Sequence, residues 1–261
     1  MATTAKYKPR WPDCAGCSNG ALLLYREPMV EDHPKAATPV GCALEGLNRL
    51  LQQADTASLI QNLYGRARQG WISLRARGIP VLELIVTIRR PLALGLSEGR
   101  VDDMSFQLHP VYGTPYLGSS ALKGALRHWA FTYADPEISK TTLDKRLGDM
   151  AGEAEVRITE AWPVAANSYF QQGVFTPHLK PFFEGETAKG PVDWNNPTPV
   201  EFLCLRPGVQ FHLALLGRRP DTPVAYLQEV YEWLHGSMRE AGVGGRSRKG
   251  YGRLRVEVVP E

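Results

Sequence analysis

Cysteine is scarce: Cys14, Cys17, Cys42 and Cys204 are the only four in a chain of 261 residues. That excludes a disulfide-stapled scaffold, which carries many more bridges in a much smaller domain. Long apolar runs are missing as well. Nothing approaches the roughly 18 residues that cross a bilayer, and the opening segment MATTAKYKPRWPDC lacks the apolar core of a signal peptide. A cytoplasmic protein with no membrane partner is therefore expected. Net charge is only +3, with a pI near 8.6. So mild a balance excludes any argument for a nucleic-acid partner from overall basicity, and the placement of the charges has to decide. A hydrophobic content of 43% against 22% charged residues suits a folded chain that buries one large core or two modest ones.

The first 80 residues read as an N-terminal arm and helical segment packed on a body formed by residues 81–261. Pro, Gly and polar residues dominate up to residue 40, broken by the apolar patch Ala21–Tyr25. Cys14-Ala-Gly-Cys17 has the separation of half a zinc knuckle, and Cys42 with His33 offers two further ligands. A second CxxC is missing, so free thiols are the simpler expectation, and no cofactor or metal is expected. Residues 41–70 carry Leu44, Leu47, Leu50 and Leu51 at helical spacing.

Regular alternation begins at Val81. Leu82, Leu84, Val86 and Ile88 face one way, and Glu83, Thr87 and Arg89 the other, which predicts a half-buried strand. After a Gly- and Pro-rich loop, Ser119 or Ser120 is expected to cap a helix whose stripe is Leu122, Ala125, Leu126, Trp129, Ala130 and Tyr133. Gly124 inside it suggests close approach by another backbone. Residues 154–162 form a weak strand candidate. Residues 163–199 fit no period and read as an aromatic insertion of functional or interface type. VEFLCL and VQFHLALL, joined by Arg206-Pro-Gly208, read as a hairpin. Asp221-Thr-Pro223 opens a second amphipathic helix, Gly242 ends it, and RLRVEVV is the last strand. The order strand, helix, strand, strand, helix, strand predicts an α+β, ferredoxin-like core of the kind RNA-recognition domains use.

Two segments carry the chemistry. Between the second helix and the last strand lies Gly242-Val-Gly-Gly-Arg-Ser-Arg-Lys-Gly-Tyr-Gly-Arg253. Its five glycines permit positive φ and close approach to a ligand, and successive amides in such a loop can form an anion nest. Arg246, Arg248 and Lys249 add charge for phosphates, while Tyr251 offers a ring for a base. Neither a P-loop nor a dinucleotide fingerprint matches, since a strand follows the loop. The second segment is Pro115-Tyr-Leu-Gly-Ser-Ser120-Ala-Leu-Lys123-Gly-Ala-Leu-Arg127, in which Lys123 and Arg127 share a helix side near a free N-terminus. The two segments are expected to converge on one phosphate-lined track.

Together these segments resemble the RAMP superfamily (repeat-associated mysterious proteins) of CRISPR systems. Its signatures are a PGSSLKGALR-like helix start and a C-terminal G-x-G-G-[KR]-[ST]-[KR]-x-G-[FY]-G loop. The resemblance covers residues 81–258 and extends to LHPVYGTPYLGSSALKGALR and PTPVEFLCLRPGVQF; at Gly118-Ser119 the family commonly has Pro-Gly-Ser. It implies a ferredoxin-like core with an insertion, in a subunit of a type III-B Cmr effector complex. Such a subunit caps a filament of related proteins near the 3′ end of the CRISPR RNA, beside backbone and small subunits and the target RNA. By position, the implied RNA contacts are Ser119, Ser120, Lys123, Arg127, Gly244, Gly245, Arg246, Ser247, Arg248, Lys249 and Tyr251.

No catalytic residue is expected. Superfamily siblings cleave RNA with an aspartate in the loop after the first strand, where this chain has Asp102 and Asp103. A metal-dependent endoribonuclease is therefore the alternative. The acid–base candidates His109, His128, His178, His212 and His235 show no defensible pairing.

Overall fold

The computed structural model describes residues 19–25, 39–96, 106–132, 138–149, 152–164, 168–176 and 199–260, apart from the side chains of Leu22, Leu23, Tyr25, Pro39 and Cys42. Three helices come first: α1 (Gly20–Tyr25), α2 (Pro39–Gln52) and α3 (Ala54–Ala76). Strand β1 (Val81–Ile88) then leads to α4 (Ser119–Thr132), α5 (Lys140–Leu147), β2 (Val156–Ile158) and β3 (Trp162–Pro163). The remainder is β4 (Phe170–Phe175), β5 (Val200–Leu205), β6 (Gln210–Gly217), α6 (Val224–Glu240) and β7 (Leu254–Val258).

The main sheet is antiparallel, in the order β2-β6-β1-β7, with β3 also on β6. Register explains its two faces. Leu84 and Val86 lie opposite Leu213 and Phe211, while Val86 and Ile88 lie opposite Val256 and Leu254. All of these are buried and form one apolar face, in a core cluster with Leu122, Leu126, Leu227, Val230 and Leu234 of α4 and α6. Trp129 of α4 lies against Gly236 of α6, where a Cβ would stand 2.7 Å from the indole. The missing side chain is what lets the two helices close.

The other face is mixed, with Glu83 and His212 beside Ile85 and Ala214, and α3 packs on it. Glu83 is only 7% exposed and lies 3.5 Å from Arg68 and 3.3 Å from Arg75. Removing both arginines would leave a buried carboxylate without counter-charge. Tyr64 stacks at 4.2 Å on His212, whose pKa burial lowers.

Several local expectations need correction. Gly124 has nothing near a would-be Cβ, so no backbone approaches it; Gly236 has that role instead. Helix α4 already includes Ser119, and its first closing bond runs from the Leu122 amide to the Gly118 carbonyl. Pro223 rather than Asp221 occupies the cap position of α6. Gly242 does end α6, with φ 74° and its amide bonded to Ser237.

The expected hairpin of residues 200–217 does not form. β5 pairs with β4, in a second sheet, and β6 pairs with β1. Part of the segment without period is thus a strand, held by Asn48 of α2: its side-chain oxygen accepts from the Tyr169 and Phe170 amides. The physical reason is burial. Phe202, Leu203, Cys204 and Leu205 are all buried, so β5 needs cover on both faces. Arg206-Pro-Gly208 carries the chain between sheets, with the Gly208 amide bonded to Ile88.

Candidate nucleic-acid interface

The glycine-rich loop is a pinned structure. Leu92 exchanges hydrogen bonds with Leu205 of β5, and the next residue, Ala93, accepts one from the Gly245 amide at 2.8 Å. Residues 92–93 therefore bridge the β4–β5 sheet to the loop. Gly252 donates to Pro91, and Val243 donates to Gly252, at 2.8 and 3.0 Å. The glycines are required sterically: a Cβ on Gly244 would stand 2.3 Å from the Ala93 carbonyl oxygen, and one on Gly252 1.9 Å from that of Val243. Both residues have positive φ, 82° and 69°.

Within this frame Ser247–Lys249 forms a single 3-10 turn, flanked by Arg246 and Gly250 in the left-handed region. Arg246 is the sole non-glycine at positive φ among the described residues. Its guanidinium lies 3.7 Å from the ring centre of Phe175 and 5.5 Å from that of Phe202. Tyr251 meets Phe202 at 5.7 Å, packed on the small cluster of Ala93, Phe202 and Cys204. A cation over two rings in a partly dry setting holds the loop on the β4–β5 sheet. Arg248 and Lys249 are exposed, and neither forms an ion pair among the described residues. Phe175 and Phe202 are partners that sequence reasoning missed. Their only signal, aromatic residues near a basic loop, is distributed over segments that contact only in the fold.

The second segment has a different environment. The Lys123 ammonium donates to the Leu147 carbonyl at 3.1 Å. Arg127 pairs with Asp144 at 2.8 Å and donates to the Gly148 carbonyl. Both cations thus hold the C-terminal turn of α5, whose free carbonyls carry partial negative charge. Ser119 and Ser120 lie at the solvent-facing start of α4. Helix α5 packs on β2, at one edge of the main sheet, whereas the loop leads into β7 at the other. The structure does not bring Lys123 and Arg127 together with Arg246, Arg248 and Lys249.

The remaining candidates fall elsewhere. Asp102, Asp103, His178, Cys14, Cys17 and His33 lie outside the described residues, as does the side chain of Cys42. Cys204 is buried, donates to the Gln171 carbonyl at 3.4 Å, and has its thiol pushed up to about 11 by desolvation. His109 sits among Tyr112, Tyr116 and Trp162, and its Nδ1 accepts from the Val111 and Tyr112 amides. Burial lowers its pKa, partly opposed by Glu160. His235 lies 6.0 Å from Tyr231, and His128 is exposed. Among the described residues no group of three His, Cys, Asp or Glu could hold a metal ion, and no helix is long and apolar enough to cross a membrane.

Comparison with known proteins adds four findings. A family model described as RAMP superfamily matches residues 57–255. The chain is similar to the CRISPR system Cmr subunit Cmr6 of Pyrococcus furiosus, 25% identical over 227 residues, covering 64% of this chain and 65% of that protein's length. It also shares the fold of a chain in the cryo-EM structure of the Type III-B Cmr-beta bound to cognate target RNA. There the TM-score is 0.64 at 20% identity, covering 84% of this chain and 72% of that one. The crystal structure of Cmr6 from Pyrococcus furiosus gives a TM-score of 0.42 at 22% identity, covering 69% and 99%.

Proposed function

The chain belongs to the RAMP superfamily, and from that membership we propose that it is a non-catalytic, RNA-binding subunit of a type III-B CRISPR effector complex. In this reading the main sheet, with α4 and α6 on one face, is a ferredoxin-like core. The subunit caps the filament near the 3′ end of the CRISPR RNA and helps position guide and target, while base pairing between the two strands supplies sequence specificity. The first 80 residues act as an arm on the body formed by residues 81–261.

One observation carries the reading. Residues 242–253 are locked to residues 91–93 by backbone bonds that only glycines permit, and the locked loop presents Arg248 and Lys249 to solvent. Cations held on a rigid backbone suit a polyanion whose phosphates arrive at fixed spacing. Within the loop the roles divide. Arg248 and Lys249 contact phosphates, supported by the Gly244, Gly245 and Ser247 backbone, and Arg246 with Tyr251 fixes the loop's position. Lys123 and Arg127 act on the α5 side, and Ser119 with Ser120 offers amides to any RNA passing the start of α4.

The test is RNA affinity as a function of salt, in the assembled complex and in the full chain, for wild type and for R246A/R248A/K249A. A phosphate grip predicts weaker binding and a shallower salt dependence, by about 0.7 units per lost single-strand contact. An unchanged slope would reduce the protein to a scaffold without RNA contact.

The competing reading is a metal-dependent endoribonuclease using Asp102 and Asp103. It draws on chain order alone: these acids follow residues 91–96, which touch the glycine-rich loop. Incubating the complex with complementary RNA, with and without D102A and D103A, separates the two. Loss of divalent-dependent cutting in the variants would favour the enzyme.

A further inference from the structure

We infer that Arg89, Arg90 and Arg206 form a second phosphate seat, continuous with Arg248 and Lys249, at the C-terminal end of β1. This extension rests on the RNA-binding reading of the glycine-rich loop and adds to it a site that neither sequence motif contains.

Three separate segments meet there. The amides of Arg89 and Arg90 both donate to the Arg253 carbonyl, at 2.9 and 3.1 Å, and Gly252 donates to Pro91. On the other side of β1 the Gly208 amide donates to the Ile88 carbonyl, and the Ile88 amide to that of Val209. The Arg206 amide is tied to the Tyr169 carbonyl at 2.9 Å, so the Arg206-Pro-Gly turn is anchored at both ends. Arg89 and Arg90 therefore sit in backbone register between Arg206 on one side and the glycine-rich loop on the other.

The charges are also distributed unevenly between engaged and free cations. Arg253 donates to the Ala241 carbonyl, and Arg255 pairs with Glu257. By contrast Arg89, Arg90, Arg206, Arg248 and Lys249 are all exposed, and none forms an ion pair or side-chain hydrogen bond among the described residues. Five cations brought to one end of a sheet by rigid backbone repel one another. Among the described residues no carboxylate pairs with them, and an external polyanion supplies the counter-charge, releasing its own counterions as it binds. A chain of phosphates fits this layout better than a single anion, because the cations lie along a line of backbone rather than around one point. Arg206 follows the second strand of the small sheet, Arg89 and Arg90 follow β1, and Arg248 and Lys249 precede β7.

The experiment uses the full-length chain and a labelled single-stranded RNA, with binding followed by fluorescence anisotropy from low to moderate salt. Four proteins are compared: wild type, R89Q/R90Q/R206Q, R248Q/K249Q, and a control of equal charge loss, R66Q/R77Q/R219Q, at exposed positions elsewhere. The proposal expects R89Q/R90Q/R206Q to weaken binding at least tenfold and to lower the salt slope by about two units, three contacts at roughly 0.7 each. The control triple should move the slope little. All variants should keep the wild-type urea midpoint. If R248Q/K249Q weakens binding while R89Q/R90Q/R206Q matches the control, the second seat is refuted and the loop reading survives. If the wild-type chain and its assembled complex show no salt-dependent RNA binding, both readings fail together.

Discussion

Two basic segments of this chain look alike in sequence and differ in what the fold does with them. Lys123 and Arg127 lie one helical turn apart beside an apolar stripe, and Arg248 and Lys249 lie in a loop bounded by glycines. In the folded chain the first pair turns inward to α5, with Arg127 on Asp144 and both residues on carbonyls at the end of that helix. The second pair is exposed, on a loop whose backbone is fixed. The lesson is that a cation in a motif is available to a ligand only if the protein has not already neutralised it.

The comparison can be broken most sharply through the loop's backbone. Gly252→Ala forces a Cβ into the Val243 carbonyl at a positive φ, so it should destabilise the protein by about 3 kcal/mol. Urea unfolding followed by circular dichroism measures this. A midpoint equal to wild type would mean that the loop is not pinned in solution. Gly250→Ala, also at positive φ but with open space around it, should cost less, roughly 1 kcal/mol.

Next in size is Arg127→Ala. It removes a half-buried ion pair and a helix-terminal hydrogen bond, for about 1–2 kcal/mol once partial exposure is allowed for. A double-mutant cycle with Asp144→Ala should recover part of that as coupling, and the salt slope of RNA binding should stay near wild type. A slope change as large as that of R248A/K249A would erase the distinction drawn between the two segments.

R248A/K249A is the converse. Stability should be unchanged within about 0.5 kcal/mol, as expected for exposed positions. The salt slope of binding should fall by about 1.4 units.

The smallest effect is a pH dependence outside both segments. Burial lowers the pKa of His109 and of His212 below the usual 6.5. In the unfolded chain both take up protons more readily than in the native state, so stability should fall as pH drops through about 6.5. Comparing urea midpoints near pH 7.5 and near pH 5 for wild type and H109Q/H212Q checks this, and the double variant should show a flatter profile.

Much of this was legible beforehand. The alternation in β1, the stripe of α4, the stop at Gly242 and the final strand are local patterns with period two or 3.6, and each lies where its period places it. The helices of residues 41–70 were also legible, because their leucines repeat on one face. The β4–β5 pairing was not. A strand buried on both faces has no alternation, and its partner Phe170–Phe175 carries a glycine and two glutamines that hide it. The partners of Arg246 were illegible for the same reason, since Phe175, Phe202 and the loop are separated by dozens of residues. The role of Gly236 beneath Trp129 shows the limit most simply. Gly124, in the better-known motif, has open space around it, and the close contact lies on the other helix.

Sequence alone determined the strands and helices with a clear period, the resemblance to the superfamily, and the glycine-rich stretch whose cations stay exposed. Those follow from local periodicity and from residues adjacent in the chain. Which cations are neutralised within the protein, which aromatic rings hold the loop, and which arginines from distant segments share one end of the sheet were decided by tertiary structure. Charge pairing and stacking act over a few ångströms in space, and chain separation has no bearing on them.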